Sequence, residues 1–156
     1  MKIFSQIAEL LRENNVDYAT KRHAPTLTSL DSARERGEPL KIGAKALLLK
    51  TDKEFIIAVL PADRRLDTKA LRTILHSRNI RFATTEELQS LTGLVPGAVP
   101  PFGGIFKLRM LVDKALFAEE YMAFNAGSLE ISIKMKTADY RKLLHPEEGE
   151  FSERSC

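Results

Sequence analysis

The spacing of apolar residues along this chain changes several times, and each change predicts a different element of secondary structure. The first apolar residues recur at helical spacing, which predicts an amphipathic helix over residues 3–14. Residues 16–22 predict a strand, which ends before Pro25 because proline has no N–H group to donate. Thr28 or Ser29 then suits the N-cap position of a short helix that runs to about residue 36.

The middle of the chain predicts a buried hairpin followed by two capped helices. Residues 44–52 contain three consecutive leucines, which place apolar side chains on both faces of a central strand. Residues 54–60 are equally apolar and follow a short turn, so they predict the hairpin partner of that strand. Asp67 suits the cap of one helix, and Thr84 with Glu87 forms the capping-box pattern of another.

The second half of the chain predicts three further strands and a last helix. Residues 108–112 and 120–124 predict two of the strands. Residues 129–136 alternate between apolar and polar side chains, which predicts a strand with one buried and one solvent-facing side. Thr137 suits the cap of the helix that follows.

Hairpins mixed with scattered helices predict an α+β fold with a mostly antiparallel or mixed sheet. Residues 146–156 are charged and poor in apolar side chains, which predicts a flexible C-terminal tail. The regular alternation of strand and helix of a dinucleotide-binding fold is absent from the sequence. The glycine-rich phosphate-binding motifs G-x-G-x-x-G and G-x-x-x-x-G-K-S/T are absent as well.

The composition is typical of one soluble globular domain, with 156 residues of which 44% are apolar and 29% charged. This composition excludes a disordered chain and a collagen. Cys156 is the one cysteine, so a disulfide scaffold is excluded as well. No apolar run approaches the roughly 18 residues of a membrane span, and the first residues lack the apolar core of a signal peptide. We therefore expect a cytoplasmic protein without a membrane partner, and its net charge of +3 favours anionic partners only weakly.

The chain offers few groups for metal or covalent chemistry. Its three histidines, His23, His76 and His145, lack the spacing of metal ligands, and no G-x-S-x-G nucleophile motif is present. No cofactor motif is present either, so we expect neither a metal nor a cofactor. An enzyme with this sequence would depend on positioning, backbone N–H donors and water.

Two sequence features nevertheless suit a site. Lys45 starts the central strand in line with Leu47 and Leu49, so its ammonium either extends into water or points into a pocket, towards a carbonyl or phosphate oxygen. Residues 94–104 contain three prolines and three glycines, which predict a rigid loop. Such a loop either holds N–H groups ready for a developing oxyanion or merely connects two elements.

His23 and Asn125 each have two interpretations. The histidine suits a general base or substrate contact, but it equally suits a partly buried, hydrogen-bonded side chain. The asparagine suits a tight turn, but its amide could also bind a polar group of a substrate.

These features occur in an order that resembles a known family. The segments that carry the resemblance are Arg22-His23-Ala24-Pro25-Thr26, Ala44-Lys45-Ala46-Leu47-Leu48-Leu49, Gly97-Ala98-Val99-Pro100-Pro101-Phe102-Gly103 and Phe124-Asn125-Ala126-Gly127. With them the chain resembles the YbaK/EbsC family, the prolyl-tRNA-synthetase-associated domains. The resemblance covers residues 1–145 and implies the fold of the related editing domain of prolyl-tRNA synthetase. That fold is a single compact α+β domain with a mixed, mostly antiparallel and barrel-like sheet core and flanking helices. It also implies trans-editing hydrolysis of the ester that joins a wrong, small amino acid to tRNA.

The resemblance further implies which residues form the site. The lysine of the family corresponds to Lys45, and its G-x-x-x-P loop corresponds to Gly97 and Pro101, so these three are the implied catalytic residues. The implied substrate-binding residues are His23, Thr26, Ala98, Phe102, Gly103 and Asn125. The implied partners are the acceptor end of aminoacyl-tRNA and an aminoacyl-tRNA synthetase. Scattered basic residues that could meet the tRNA phosphates are Lys41, Arg64, Arg65 and Lys107.

Three departures from the family pattern affect the expected amino-acid specificity. The proline is doubled at Pro100-Pro101, Asn125 stands where other members carry serine or threonine, and an acidic tail follows from Glu147 to Glu153. Alanine, cysteine, serine and other small amino acids all stay open as the edited residue. Two other functions also stay open: a non-catalytic module that binds aminoacyl-tRNA or a synthetase, and a hydrolase of other small acyl esters.

Overall fold

The computed structural model describes residues 2–25 and 28–154. The helices are α1 Lys2–Glu13, α2 Ser29–Arg36, α3 Thr68–Leu75, α4 Thr85–Thr92 and α5 Thr137–Leu144. The strands are β1 Tyr18–Arg22, β2 Ala44–Lys50, β3 Phe55–Pro61, β4 Arg64–Leu66, β5 Arg81–Phe82, β6 Arg109–Asp113, β7 Tyr121–Asn125, β8 Ile131–Lys136, β9 Glu147–Gly149 and β10 Ser152–Arg154. Short 3-10 helices cover Leu40–Ile42, Gly103–Phe106 and Lys114–Ala118.

The helix starts are confirmed where a side chain caps them. Thr28 caps α2 and Asp67 caps α3, each accepting a hydrogen bond from the backbone N–H three residues further on. Thr84 and Glu87 form both bonds of the capping box at the start of α4. Thr137 is not the cap of α5. It is the first helical residue, and its hydroxyl donates to backbone carbonyl oxygens just before β7.

The strands form a five-stranded sheet in the order β5-β2-β3-β6-β9, a three-stranded sheet in the order β1-β8-β7, and the pair β10-β4. The pairs β3–β6 and β6–β9 are parallel and the others are antiparallel. The predicted mixed, mostly antiparallel α+β fold is therefore confirmed. The barrel-like core is wrong, because the described five-stranded sheet stays open, ending at β5 on one side and at β9 on the other.

The five-stranded sheet is covered on both faces, as the leucine run of β2 predicts. Leu48 lies in the larger core, between this sheet and the three-stranded sheet. Its neighbour Leu49 points to the opposite face and lies in a smaller core with Leu71 of α3 and Phe151. A parallel bridge between Gly43 and Ala123 links the two larger sheets next to the start of β2.

The C-terminal segment corrects the prediction of a flexible tail. β9 pairs with β6, and β10 pairs with β4. Between them Phe151 is fully buried, and its N–H donates to the buried carboxylate of Asp113 at 2.8 Å. One aromatic side chain and two short ladders thus hold a charged segment against the domain, because charged residues on an edge strand can point outward while the backbone pairs. Cys156 lies outside the described residues.

We expect Phe151→Ala to lower the free energy of unfolding by about 3–5 kcal/mol, the usual cost of deleting a fully buried aromatic side chain. Glu153→Ala is the matched control in the same segment. Its carboxylate forms an exposed ion pair with Arg65 at 2.7 Å, so its loss should cost less than about 1 kcal/mol. Urea denaturation of both variants measures the difference, and an unchanged midpoint for Phe151→Ala would show that the segment does not pack in solution.

Candidate functional site

A cavity of about 160 Å³ opens between the start of β2, the helix α2 and the loop around residues 97–99. Lys45, Gly97 and Asn125, which the sequence selects from three separate segments, all line it. The volume corresponds to about five water molecules at roughly 30 Å³ each. The cavity therefore suits a small group, such as an amino-acid side chain with its ester, rather than a large ligand.

Lys45 lies in the cavity wall, partly buried, and its ammonium forms no hydrogen bond or ion pair with the described residues. Burial lowers the pKa of Lys45 below its ordinary value, because the charged form loses contact with water. The negative charge of Asp63 raises the pKa and partly opposes this effect. The Lys45 side chain therefore lines a pocket at the start of β2.

The backbone of β2 also faces the cavity. The hairpin bond from Thr51 N–H to the Glu54 carbonyl directs the backbone groups of odd-numbered residues of β2 towards β3. Even-numbered residues face the other side, where the N–H of Ala83 donates to the Leu48 carbonyl at 3.0 Å. β5 pairs only with the C-terminal end of β2. The N–H and C=O groups of Ala46 therefore point outward from an edge of the sheet that no described strand covers, and Ala46 lines the cavity.

The loop contributes two further backbone donors. Among the described residues, the N–H groups of Gly97 and Val99 have no hydrogen-bond partner, and both residues line the cavity. Gly97 has a φ of +87°, which a residue with a Cβ rarely adopts. The glycine thus lets the chain turn where the loop meets the cavity.

Asn125 ties this loop to β7 and to α2. Its Nδ2 donates to the Gly97 carbonyl at 2.9 Å. Its Oδ1 accepts hydrogen bonds from Arg36 Nη2 at 3.2 Å and from the Ser132 hydroxyl at 3.1 Å. The amide therefore uses both its donor and its acceptor side to position groups of the cavity wall. Asn125 is the last residue of β7 rather than part of the turn that the sequence suggests, and these hydrogen bonds allow its polar side chain to be buried.

Arg36 is a member of the cavity wall that the sequence does not predict. Burial lowers its pKa to about 10, although Glu38 opposes the change. Its Nε donates to Ser132 Oγ at 2.8 Å. In the polar helix α2 nothing distinguishes Arg36 from its solvated neighbours, so no local signal could have selected it. Ser132 is only 3% exposed, although the alternation of β8 predicts that it faces solvent, because Arg36 covers that face.

His23 does not line the cavity, but its Nε2 lies 2.8 Å from Ser132 Oγ and its Nδ1 lies 2.9 Å from the Ala24 carbonyl oxygen. The Ser132 hydroxyl also accepts a hydrogen bond from Arg36 and donates one to Asn125. His23 is thus connected through Ser132 to two residues that line the cavity.

Four predicted site residues are buried and do not line the cavity: Ala98, Pro101, Phe102 and Gly103. The ring of Phe102 packs against those of Phe124 and Tyr140, with distances between ring centroids of 5.5 and 5.6 Å. The buried Tyr140 hydroxyl donates to the Pro101 carbonyl at 2.6 Å. These residues anchor the base of the loop in the core, since only its first part reaches the cavity. Thr26 lies outside the described residues.

The basic residues considered for tRNA contact are spread over the surface. Lys41 and Arg64 line a second, open cavity, and Lys41 pairs with Glu119 at 3.3 Å. Arg65 and Lys107 are exposed. No group of three or more His, Cys, Asp or Glu residues in the described ranges could hold a metal ion, and none of the described helices could cross a membrane.

Residues 23–143 match the family model of the aminoacyl-tRNA editing domain. The chain is 33% identical over 147 residues to the multifunctional Ser/Thr-tRNA deacylase ProXp-y of Escherichia coli K12, which covers 91% of this chain and 88% of that protein. It is 24% identical over 140 residues to the prolyl-tRNA editing protein ProX of Acetoanaerobium sticklandii, covering 86% of this chain and 85% of ProX.

The fold agrees with these matches. The crystal structure of a candidate trans-editing enzyme for prolyl tRNA synthetase shares it with a TM-score of 0.83 at 20% identity, over 98% of each chain. The proline–tRNA ligase of Aquifex aeolicus is 28% identical over 99 residues, which are 62% of this chain and 17% of the ligase. The resemblance of the sequence motifs to the YbaK/EbsC family is confirmed, and the chain belongs to the aminoacyl-tRNA editing domain family.

Proposed function

We propose that this protein hydrolyses, in trans, the ester bond of a mischarged aminoacyl-tRNA that carries a small amino acid. The observation that carries the proposal is the common cavity, which Lys45, Gly97, Val99 and Asn125 line together. A Ser/Thr-tRNA deacylase and a prolyl-tRNA editing protein among the relatives support it. The proposed partner is the acceptor end of tRNA, and a synthetase is a second one because proline–tRNA ligases contain a similar segment.

The charges of the cavity wall suit this reaction. Arg36 and Lys45 line it, and no Asp, Glu or His of the described ranges does. Ester hydrolysis builds negative charge on the carbonyl oxygen, so a cationic wall stabilises the transition state more than the neutral ester. An aminoacyl ester is already reactive, and its hydrolysis therefore needs no nucleophilic side chain.

The proposed step is a direct attack by water. The water oxygen bonds to the ester carbonyl carbon, and the carbonyl oxygen becomes an oxyanion that the N–H groups of Gly97 and Val99 and the Lys45 ammonium stabilise. The carbonyl then re-forms and the bond to the ribose oxygen breaks. Of the two protons of the attacking water, one goes to the ribose oxygen, which leaves as a hydroxyl, and the other goes to solvent, so the amino acid leaves as a carboxylate. A neighbouring ribose hydroxyl can relay the proton, since the described wall supplies no carboxylate or imidazole to do so.

The size and lining of the cavity support a small amino acid. Leu47, Val99 and Leu129 supply its apolar surface, while Thr28 and Asn125 supply polar atoms. One methylene group in such a pocket changes the discrimination by only about 1–3 kcal/mol. We therefore expect a graded preference among small amino acids rather than a single substrate.

The test of the proposed function is a panel of tRNAs charged with cognate and near-cognate amino acids, with ester loss followed against the uncatalysed rate. We expect accelerated loss of small amino acids from non-cognate tRNAs. The missing carboxylate or imidazole base favours a second candidate, a module that binds aminoacyl-tRNA without turnover. Salt-sensitive binding with no ester loss would support that module. A preference for simple esters over tRNA-linked ones would instead indicate a general esterase.

We expect Lys45→Ala to lower kcat/KM for deacylation by about 100-fold or more, because the oxyanion loses one of its charge-stabilising donors. Lys50→Ala is the matched control: Lys50 lies at the other end of β2, donates to the Thr51 carbonyl and does not line the cavity. Steady-state kinetics on the best substrate of the panel measures both variants. Full activity in Lys45→Ala would contradict the proposed mechanism.

We expect Asn125→Ala to lower kcat/KM by about tenfold or more, since the Gly97 carbonyl and Arg36 each lose a hydrogen bond that positions the wall. Asn125→Asp keeps an acceptor for Arg36 but replaces the donor that faces Gly97 with an oxygen, so it should not restore activity. Asn79→Ala removes an exposed amide and serves as the control. Wild-type kinetics in Asn125→Asp would show that the bond to Gly97 is not required.

A further inference from the structure

An adjoining groove of about 130 Å³ leads away from the cavity. The two share four wall residues, Ala46, Leu47, Gly97 and Val99, and the groove is lined further along by Phe82 of β5. When an ester occupies the cavity, the group attached to it can therefore extend along this groove without passing through the core.

Phe82 is the most exposed of the large apolar side chains described, with 58% of its surface accessible. Lone exposed apolar residues are common, so this exposure alone assigns no role. The register is more informative. Phe82 lies directly opposite Leu49 on β2, so its side chain lies on the same face of the sheet as Leu47 and Lys45. One face of the sheet thus presents the ammonium, an aliphatic side chain and an aromatic ring in sequence.

We propose that Phe82 stacks on the terminal nucleobase of the aminoacylated strand while the aminoacyl group occupies the cavity. This inference rests on the proposed function, since it takes the substrate to be an ester of a nucleoside. Every base offers flat apolar faces, and an exposed aromatic ring is the usual protein partner for them. Pro96 lines the groove with a second compact apolar ring, and the hydroxyl groups of Thr84 and Thr85 can bind the polar edge of a base.

The charges around the groove favour a base over a phosphate. Arg81, next to Phe82, donates two hydrogen bonds to the carboxylate of Glu87 at 2.8 and 3.0 Å, so its charge is already matched. No Lys or Arg lines the groove within the described ranges. Between groove and cavity, the uncovered N–H and C=O of Ala46 are suited to a ribose hydroxyl or a base edge.

The experiment compares three substrates that carry the same amino acid: the aminoacyl-tRNA, 2′(3′)-O-aminoacyl-adenosine, and the ethyl ester. We expect Phe82→Ala to lower kcat/KM by roughly 5- to 150-fold on the two substrates that contain the terminal base, which is the usual contribution of one stacked base, and to leave the ethyl ester unchanged. Phe82→Trp should keep the activity because it keeps the aromatic surface. Leu91→Ala, an exposed apolar residue of α4 that does not line the groove, is the control.

Three results would overturn the proposal. Equal loss on the ethyl ester would show that Phe82 shapes the cavity. Loss on tRNA without loss on aminoacyl-adenosine would assign the contact to another base. Unchanged kinetics on all three substrates would show that Phe82 makes no contact. Melting temperatures of the variants separate each of these results from unfolding.

A binding measurement distinguishes failure of this inference from failure of the proposed function. If the wild-type protein hydrolyses no ester, the proposed deacylation fails, and the probe becomes a non-hydrolysable, amide-linked aminoacyl-adenosine. We then expect Phe82→Ala to weaken its binding by the same roughly 5- to 150-fold. Equal binding by wild type and Phe82→Ala, or no binding by either protein, would overturn the stacking contact.

Discussion

The amide of Asn125 is the interaction on which the rest of the cavity depends. It connects β7 to the Gly97 carbonyl, 28 residues away, and to the guanidinium of Arg36, 89 residues away. No buried side-chain nitrogen or oxygen atom in the described residues lacks a hydrogen-bond partner. Because a buried polar group without a partner is costly, a change at any member of this network leaves the others unsatisfied. These hydrogen bonds therefore fix the positions of the loop at Gly97, the helix α2 and the strands β7 and β8 relative to one another.

Two cationic side chains, those of Arg36 and Lys45, line this one small cavity. Arg36 donates hydrogen bonds to the neutral side chains of Asn125 and Ser132, and Lys45 has no ion pair in the described structure. Burial lowers the pKa of both side chains, because each charge gives up water. That desolvation is unfavourable for the free protein, but it strengthens the attraction for negative charge that develops in the cavity.

The sheet topology leaves one edge of β2 open beside the cavity. β5 is two residues long and pairs only with Leu49 and Lys50, so the edge of β2 is open around Ala46. The same short strand places Phe82 beside the opening. A longer β5 would cover this edge and separate the cavity from the groove. The uncovered backbone is unusual for a sheet, since exposed edges are commonly protected, and it agrees with the proposed binding of a substrate at this edge.

The sequence by itself determined the features that depend on near neighbours in the chain. Helix caps such as Thr84, the apolar run of β2 and the glycine at position 97 follow from local hydrogen bonding and side-chain spacing, and the ordered motifs identified the family. Only the tertiary structure decided that Ser132 is buried and Arg36 partly buried, because their burial depends on segments distant in the chain. The same reason accounts for the packed C-terminal segment and for the second half of the proline-rich loop, which anchors in the core. A local pattern specifies which bonds a residue can form, whereas the fold decides which partners and how much water it meets.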